Sequence, residues 1–406
     1  MHAIFSPIAF GIFCILFFGF IEVALIRFLN RRWWSLKWVR LAAWSLPLAG
    51  ILAILVWGLS EYLSYSALGY VSSIVLLLIL VAEIALMLSL PISGAVHLLH
   101  TLTDHWRRRR QEKNPDLPDS ERRLFLQTAA AAVPLMTIAT GVTGVARSFG
   151  DVRIETKTLF FKNLPTGLEG LRIWHLSDTH LRHFVTMDDL EEVVERAREF
   201  SPHLTLVTGD VSDDTGILAS ALTTIDSIRS PYGTYACLGN HEYFRGIRQV
   251  REIFDRGPIP LLVDRGIPLN INGSSLYIAG IDDPRSLSAV EPDFFKRTID
   301  AAMSDSRNND FTILMSHRPD ALDYGAELNI PLVLSGHTHG GQVGFMGKSA
   351  FSYLRPDAYL WGIYRRQSSQ MYLTCGAGQW FPFRLGCPPE APIIELRTMK
   401  MAQSSG

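Results

Sequence analysis

The sequence predicts an all-α transmembrane region followed by an α/β domain, and three observations carry that prediction. Apolar runs at about 3–26, 39–59 and 71–92 are each near the ~20 residues needed to cross a bilayer. Charge divides close to the same place: residues 1–150 hold 13 Lys/Arg against 8 Asp/Glu, and the remainder holds 25 against 31. From about 151 onward, short apolar runs that end in polar clusters alternate with amphipathic stretches such as 187–200 and 291–304. That is strand, loop and helix in rotation. Of the 406 residues, 48% are hydrophobic and only 19% charged, below the roughly 25% charged residues of soluble domains. With a net charge of −1, this composition excludes a disordered chain and a strongly basic nucleic-acid binder, so no nucleic acid is expected as a partner. Cys14, Cys237, Cys375 and Cys387 show no CxxC spacing and are too few for a disulfide framework.

The membrane elements follow in order. Trp33, Trp34 and Trp38 lie between the first two runs and Tyr62, Tyr65 and Tyr70 between the next two, at positions that suit the headgroup level. A fourth segment, 124–146, is milder: it is Ala-rich and carries Gln127 and Pro134. Arg122 and Arg123 precede it, an arrangement similar to the twin-arginine export signal. Lys and Arg cluster at 27–40 and again at 107–123, while the stretch around 60–70 has none. By the positive-inside rule the two basic loops face the cytoplasm. The expected organisation is therefore three transmembrane helices in 1–103, a basic cytoplasmic loop at 104–123, a fourth membrane segment at 124–150, and an extracytoplasmic domain at 151–406. Glu22 and Glu83 fall inside membrane runs and are expected to hydrogen-bond between helices.

The chemistry is concentrated in five runs of the α/β domain: LRIWHLSDTH, HLTLVTGDVSD, TYACLGNHEYF, FTILMSHRPD and PLVLSGHTHGG. Each ends in polar residues just past a predicted strand, where α/β folds place ligands. These residues are Asp178, His180, Asp210, Asn240, His241, His317, His337 and His339. A single histidine at such a position reads as structural, but five loops that all offer oxygen or imidazole donors read as a metal centre. Imidazole and carboxylate without thiolate suit Mn, Fe, Zn or similar divalent ions. Seven or so ligands are too many for one ion and fit a pair.

DTH at 178–180, GDVSD at 209–213, GNHE at 239–242, His317 and GHTH at 336–339 together resemble, in order and type, the calcineurin-like metallophosphoesterases. The resemblance covers about 151–400. It implies a domain of two facing mixed β-sheets flanked by helices, and a two-metal hydrolase with manganese as the first choice of ion. Carried over, Asp178, His180 and His339 hold the first metal, Asn240, His317 and His337 hold the second, and Asp210 bridges them. His241, oriented by Asp213, stands near the leaving group. The implied reaction is hydrolysis of a phosphodiester, phosphomonoester or pyrophosphate bond by a water activated between the ions, with His241 assisting the departing oxygen. Asp214 stands where the phosphoprotein phosphatases have arginine, which argues against that subgroup. GHTHGGQ (336–342) and the segment 376–396 are similar to the bacterial membrane-tethered branch. That implies an inner-membrane location, the lipid bilayer as a partner and a lipid-linked phosphoester substrate. The Gly340/Gly341 pair is expected to bring backbone close to the metals, Arg384 to bind phosphate or form a salt bridge, and His175 to pack in the core. A UDP-2,3-diacylglucosamine pyrophosphatase of lipid A synthesis is the alternative, although its cytoplasmic substrate conflicts with the topology above. A non-catalytic membrane sensor or scaffold is the alternative of another class, and the complete donor set argues against it.

Overall fold

The computed structural model describes residues 2–63, 66–111, 120–285, 291, 293–379 and 381–399. The chain divides into two compact units, Met1–Ala146 and Arg147–Gly406. The first is helical: His2–Leu29, Arg31–Ser35, Lys37–Tyr62, Ser66–Gln111 and Ser120–Ser148. Three stretches among its described residues, Gly11–Leu29, Lys37–Ser60 and Ala67–Thr103, are long and apolar enough to cross a membrane. Helices suit such segments because every backbone polar group is satisfied within the segment itself. Large apolar side chains such as Phe20, Leu41 and Leu48 are exposed, as lipid-facing positions require.

Two features of this unit add to the sequence reading. The helix Ser66–Gln111 has 46 residues, about 70 Å at 1.5 Å per residue, and so absorbs the first part of the loop expected at 104–123. Residues 120–123 open the next helix, and 112–119, like Tyr65 and Trp380, lie outside the described residues. The reason is local: 98–111 contains no Gly or Pro and is rich in Leu and Arg, so nothing stops the helix at a membrane boundary. Glu22 and Glu83 are buried as expected, but neither Glu83 oxygen has a hydrogen-bond partner among the described residues.

Among its described residues the second unit has thirteen strands: β1 (Thr156–Phe161), β2 (Arg172–Leu176), β3 (Leu204–Thr208), β4 (Thr234–Cys237), β5 (Arg265–Ile271), β6 (Ser274–Gly280), β7 (Phe311–Met315), β8 (Leu332–Ser335), β9 (Gly344–Phe345), β10 (Lys348–Ser349), β11 (Gly362–Arg366), β12 (Ser369–Leu373) and β13 (Ile393–Thr398). One sheet has the order β1-β13-β2-β3-β4, the other β11-β12-β8-β7-β6-β5, and β9 pairs with β10 alone. Both large sheets are mixed. In the first, β2, β3 and β4 run parallel while β13 is antiparallel to β2. In the second, β12, β8, β7 and β6 run parallel, flanked by antiparallel β11 and β5.

The period-2 alternation of side chains assigns the layers. Ile173, Leu204 and Leu206 from one sheet meet Ile278, Ile313 and Leu334 from the other in a single buried cluster. Their neighbours Trp174, Leu176 and Val207 point the other way, under Leu190, Val193 and Leu218 of the helices Met187–Arg198 and Thr215–Asp226. On the far side Tyr277, Leu314 and Val333 are covered by Ile299 and Leu322 of Phe294–Ala302 and Ala321–Glu327. Burial on both faces is why these strands read as continuous apolar runs. The helix Met187–Arg198 starts where Thr186 and Asp189 form a reciprocal cap. The architecture is therefore two mixed sheets flanked by helices, as the resemblance implied. Ile313 is fully buried between the sheets, so Ile313→Ala is expected to destabilise this unit by about 2–5 kcal/mol. Thermal unfolding of the purified full chain should show the loss as a lowered Tm.

Candidate metal centre

Strands supply the site by where they end. β2 is followed by Ser177–His180, β3 by Gly209 and Asp210, β4 by Gly239–His241, β7 by Ser316 and His317, and β8 by Gly336–His339. The two sheets thus contribute to one buried cluster at the ends of their parallel strands. His180 Nε2 lies 3.1 Å from His339 Nε2 and 3.9 Å from Asp178 Oδ1, and His339 Nε2 is 3.3 Å from Asp178 Oδ1. His317 Nε2 lies 3.2 Å from Asn240 Oδ1, 3.2 Å from Asp210 Oδ2 and 3.3 Å from His337 Nδ1. Asp210 Oδ2 is 3.6 Å from His180 Nε2, so it stands between the two groups. Donors that bind one ion at about 2.1 Å lie about 3.0–3.4 Å apart at octahedral and tetrahedral angles. The spacings of both groups fit that geometry, with the contacts of His180 to the carboxylates somewhat wider. The residues present therefore fit a pair of divalent ions.

The backbone is strained at these donors. Asp178 (φ 53), His180 (φ 47), Asp210 (φ 53), His337 (φ 76) and His339 (φ 48) all occupy the left-handed region, which costs an L-residue about 1–2 kcal/mol. Five strained residues in one cluster mark a site whose geometry outranks local comfort. Glycines allow the close approach, but not those expected. A Cβ on Gly336 would fall 2.1 Å from Asp178 Oδ2 and from Ser177 Oγ, and one on Gly239 2.2 Å from Asp210 Oδ1. Gly340 and Gly341 face Cys387 and Phe351 instead, so their task is packing of the loop rather than approach to metals.

Electrostatics explain which groups carry charge. Burial opposes ionisation of Asp178, but His339 and His317 hold its carboxyl well below the usual range. Asp210 is likewise lowered by His317 and His180 against the cost of burial. Burial pushes His317 down, yet Asp210 and Asp178 more than reverse this and bring it up to about 10. His337 falls to about 3 through burial and the neighbouring His317, and His339 to about 4 through burial. Carboxylates that raise a buried imidazole this far form a centre that favours cations.

Around the donors lies a supporting shell. Asp213 accepts from His241 Nδ1 at 2.5 Å, stands 3.4 Å from His180 Nδ1, and accepts from Arg245 Nε at 3.3 Å. It thus serves two histidines, whereas the sequence indicated one. Ser177 Oγ donates to Asp178 Oδ2 at 2.6 Å, and the His241 backbone N–H donates to Asp210 Oδ1 at 2.9 Å. Glu242 was legible only as the last letter of GNHE. Its buried carboxylate accepts from the backbone N–H groups of Asp210 (2.9 Å), Val211 (2.9 Å) and Gly239 (2.8 Å), and so ties the β3 and β4 loops together. Arg384 forms no salt bridge among the described residues, and its Nη2 lies 3.4 Å from His339 Nδ1. It is fully buried and donates to the carbonyls of Gly378 (2.6 Å), Cys375 (2.9 Å) and Cys387 (3.3 Å), because loop carbonyls, not a carboxylate or solvent, surround it. His175 packs in the core, 2.9 Å from Thr208 Oγ1.

Residues 171–341 match the family model of the calcineurin-like phosphoesterases. A metallophosphoesterase of Aquifex aeolicus is 32% identical over 257 residues, 61% of this chain and 92% of that protein. The chain belongs to the calcineurin-like metallophosphoesterases. As such it is a metal-dependent phosphoester hydrolase, and its clustered Asp and His groups suit a two-metal site. The metallophosphoesterase is also similar to YkuE of Bacillus subtilis, at 29% identity over 68% of this chain and 98% of that protein. The zebrafish (Danio rerio) "transmembrane protein with metallophosphoesterase domain" is 27% identical over 67% of this chain and 63% of its own length. Three helices of the metallophosphoesterase are long and apolar enough to cross a membrane, which suggests membrane association.

The cluster makes a specific demand on Gly336. Gly336→Ala removes no donor, yet its methyl group would displace Asp178. Metal content by mass spectrometry of the purified full chain is expected to fall by about one ion per chain, while the fold, read by circular dichroism, persists.

Proposed function

We propose that this metallophosphoesterase is a membrane-anchored two-metal enzyme that cleaves a phosphodiester, phosphomonoester or pyrophosphate bond of a lipid-linked substrate. Asp178, His180 and His339 hold one ion, Asn240, His317 and His337 the other, and Asp210 lies between them. The observation that carries this reading is the convergence of loops from both sheets on one buried donor cluster, in a chain with three membrane-length apolar helices. When bound, a pair of divalent ions supplies Lewis acidity toward the phosphoryl group and lowers the pKa of water. Manganese is the preferred pair because the donors are nitrogen and oxygen, which iron and zinc also accept.

The protein supplies the rest. Asp213 stays ionised, since His180 and His241 lower its carboxyl far below the usual range despite burial. It therefore accepts a hydrogen bond from His241 Nδ1 and fixes that ring, leaving Nε2 to assist the departing oxygen. Arg245 on the same carboxylate keeps it in place. His241→Ala is expected to retain both metals and slow turnover of substrates with poor leaving groups by roughly 10²–10⁴-fold, the scale of general acid assistance. With p-nitrophenyl esters, whose leaving group needs no proton, the loss should be much smaller. Equal losses on both substrate types would mean that His241 serves only to shape the loop.

The proposed location is the bacterial inner membrane with the hydrolase unit outside. Support comes from the Lys/Arg clusters at 27–40 and 107–123, and this orientation requires the helix Ser120–Ser148, which begins within the second cluster and stands apart from the three membrane-length stretches, to cross as a fourth. A reporter active only outside the cytoplasm, fused after Gly406, is expected to be active. A cytoplasmic reporter active at that position would reverse the orientation and favour the cytoplasmic UDP-linked lipid as substrate.

A further inference from the structure

The segment that follows the last two histidines leaves the fold in an unusual way. β9 and β10 form a hairpin in which Phe345 pairs with Lys348, so its turn consists of Met346 and Gly347. Both have positive φ, 51° and 78°. This is the tight turn that Asn-Gly or Asp-Gly normally fills, and methionine there is held in a strained conformation with its side chain 81% exposed. Phe345 is 62% exposed, and Tyr353 and Leu354, just beyond the hairpin, 61% and 77%. A polar residue at the tip would relieve both the turn strain and the contact of apolar surface with water. Neither economy has been made.

This lobe is anchored to the metal centre. Ala350 N–H donates to Val343 O at 2.7 Å, and Gly344 N–H to Leu385 O at 2.8 Å. The ring of Phe351 packs where a Cβ on Gly341 would stand, 2.5 Å away, and Gly341 is two residues from His339. Residues 343–355 carry Lys348 and Arg355 and no carboxylate. Beside His241, at 5.4 Å between ring centroids, Phe244 is half exposed as well. Phe244 and the 343–355 lobe thus present exposed apolar side chains close in sequence to the metal-centre histidines.

We propose that the 343–355 lobe is a membrane-docking wedge: Phe345, Met346 and Leu354 enter the headgroup–acyl boundary of the bilayer in which this same chain is anchored, so that a lipid-linked phosphoester meets the metals without leaving the membrane. Arg355 is paired with Asp357 at 3.2 Å, which leaves Lys348 as the lobe's uncompensated charge; aromatic and aliphatic tips beside a lysine match that boundary, which is apolar beneath and anionic above. Three membrane-length helices in the same chain favour lipid over a second copy or another protein as the occupant. The inference rests on the lipid-linked reading of the site and identifies the element that recognises the lipid.

The test uses the full chain in nanodiscs of phosphatidylethanolamine and phosphatidylglycerol, with an environment-sensitive fluorophore attached at Met346→Cys in a background with Cys14, Cys237, Cys375 and Cys387 replaced. Quenching by lipids brominated in the acyl chain is expected, with no dependence on protein concentration. In parallel, a Phe345→Ser/Met346→Ser/Leu354→Ser variant should lose at least about tenfold in hydrolysis of a bilayer-embedded phospholipid substrate. Its turnover of soluble bis(p-nitrophenyl) phosphate should stay within about twofold, because these exposed side chains touch no metal donor. Absence of quenching by brominated lipid, or quenching only on self-association, would overturn the wedge. A wild-type protein that hydrolyses neither substrate would instead fault the catalytic reading, and the quenching result would still decide the wedge.

Discussion

Two carboxylates, Asp178 and Asp210, are buried where five imidazoles and an amide converge, and the hydrolase unit is arranged around keeping them ionised. Burying a carboxylate is costly unless positive charge and hydrogen bonds compensate. Here imidazoles, the Ser177 hydroxyl and backbone N–H groups of His337 and His241 do so. The remaining attraction is what a divalent cation would satisfy. The left-handed backbone at five donor positions, the two carboxylates and three of the histidines, accompanies the same convergence at the expense of local φ/ψ preference.

Such strain persists only if the surroundings over-determine the loops. The apolar layer between the sheets holds β2, β3 and β4 against β7, β8 and β12, so their ends meet without adjustment. Glu242 then binds three N–H groups from the β3 and β4 loops. On the opposite side Arg384 binds carbonyls of the segment after β12. One buried anion gathers donors and one buried cation gathers acceptors, and between them the loops have little freedom. Asp213 links this scaffold to the chemistry because it contacts the ligand-type His180 and the outer His241 at once.

Much of this was legible in the sequence for a physical reason. Strands buried on both faces are short apolar runs, and donors at their ends are adjacent in sequence to those runs, so DTH, GDVSD, GNHE and GHTH announce both the strand and the site. The edge strands β5 and β11 were less visible, because exposed residues such as Arg265, Asn270 and Arg366 interrupt their pattern. The roles of Arg384 and of Gly336 could not be read, since each depends on what lies across space: loop carbonyls in one case, Asp178 and Ser177 in the other. The end of the third membrane helix was missed because hydropathy falls at the bilayer edge, whereas helix propensity through Leu102–Gln111 does not. The exposed Phe345 and Met346 gave no signal at all, as an apolar residue in a short hairpin is indistinguishable in sequence from a core residue.

On the proposed reading, one cluster of side chains from both sheets holds two ions within bridging distance of Asp210. Electron paramagnetic resonance of the full chain loaded with Mn²⁺ tests this directly, because two manganese ions sharing a carboxylate are exchange-coupled and isolated ions are not. The account predicts a coupled spectrum at two equivalents of metal that reverts to the signal of isolated ions in Asp210→Asn. An isolated-ion spectrum from the unmodified protein at every metal ratio would contradict it.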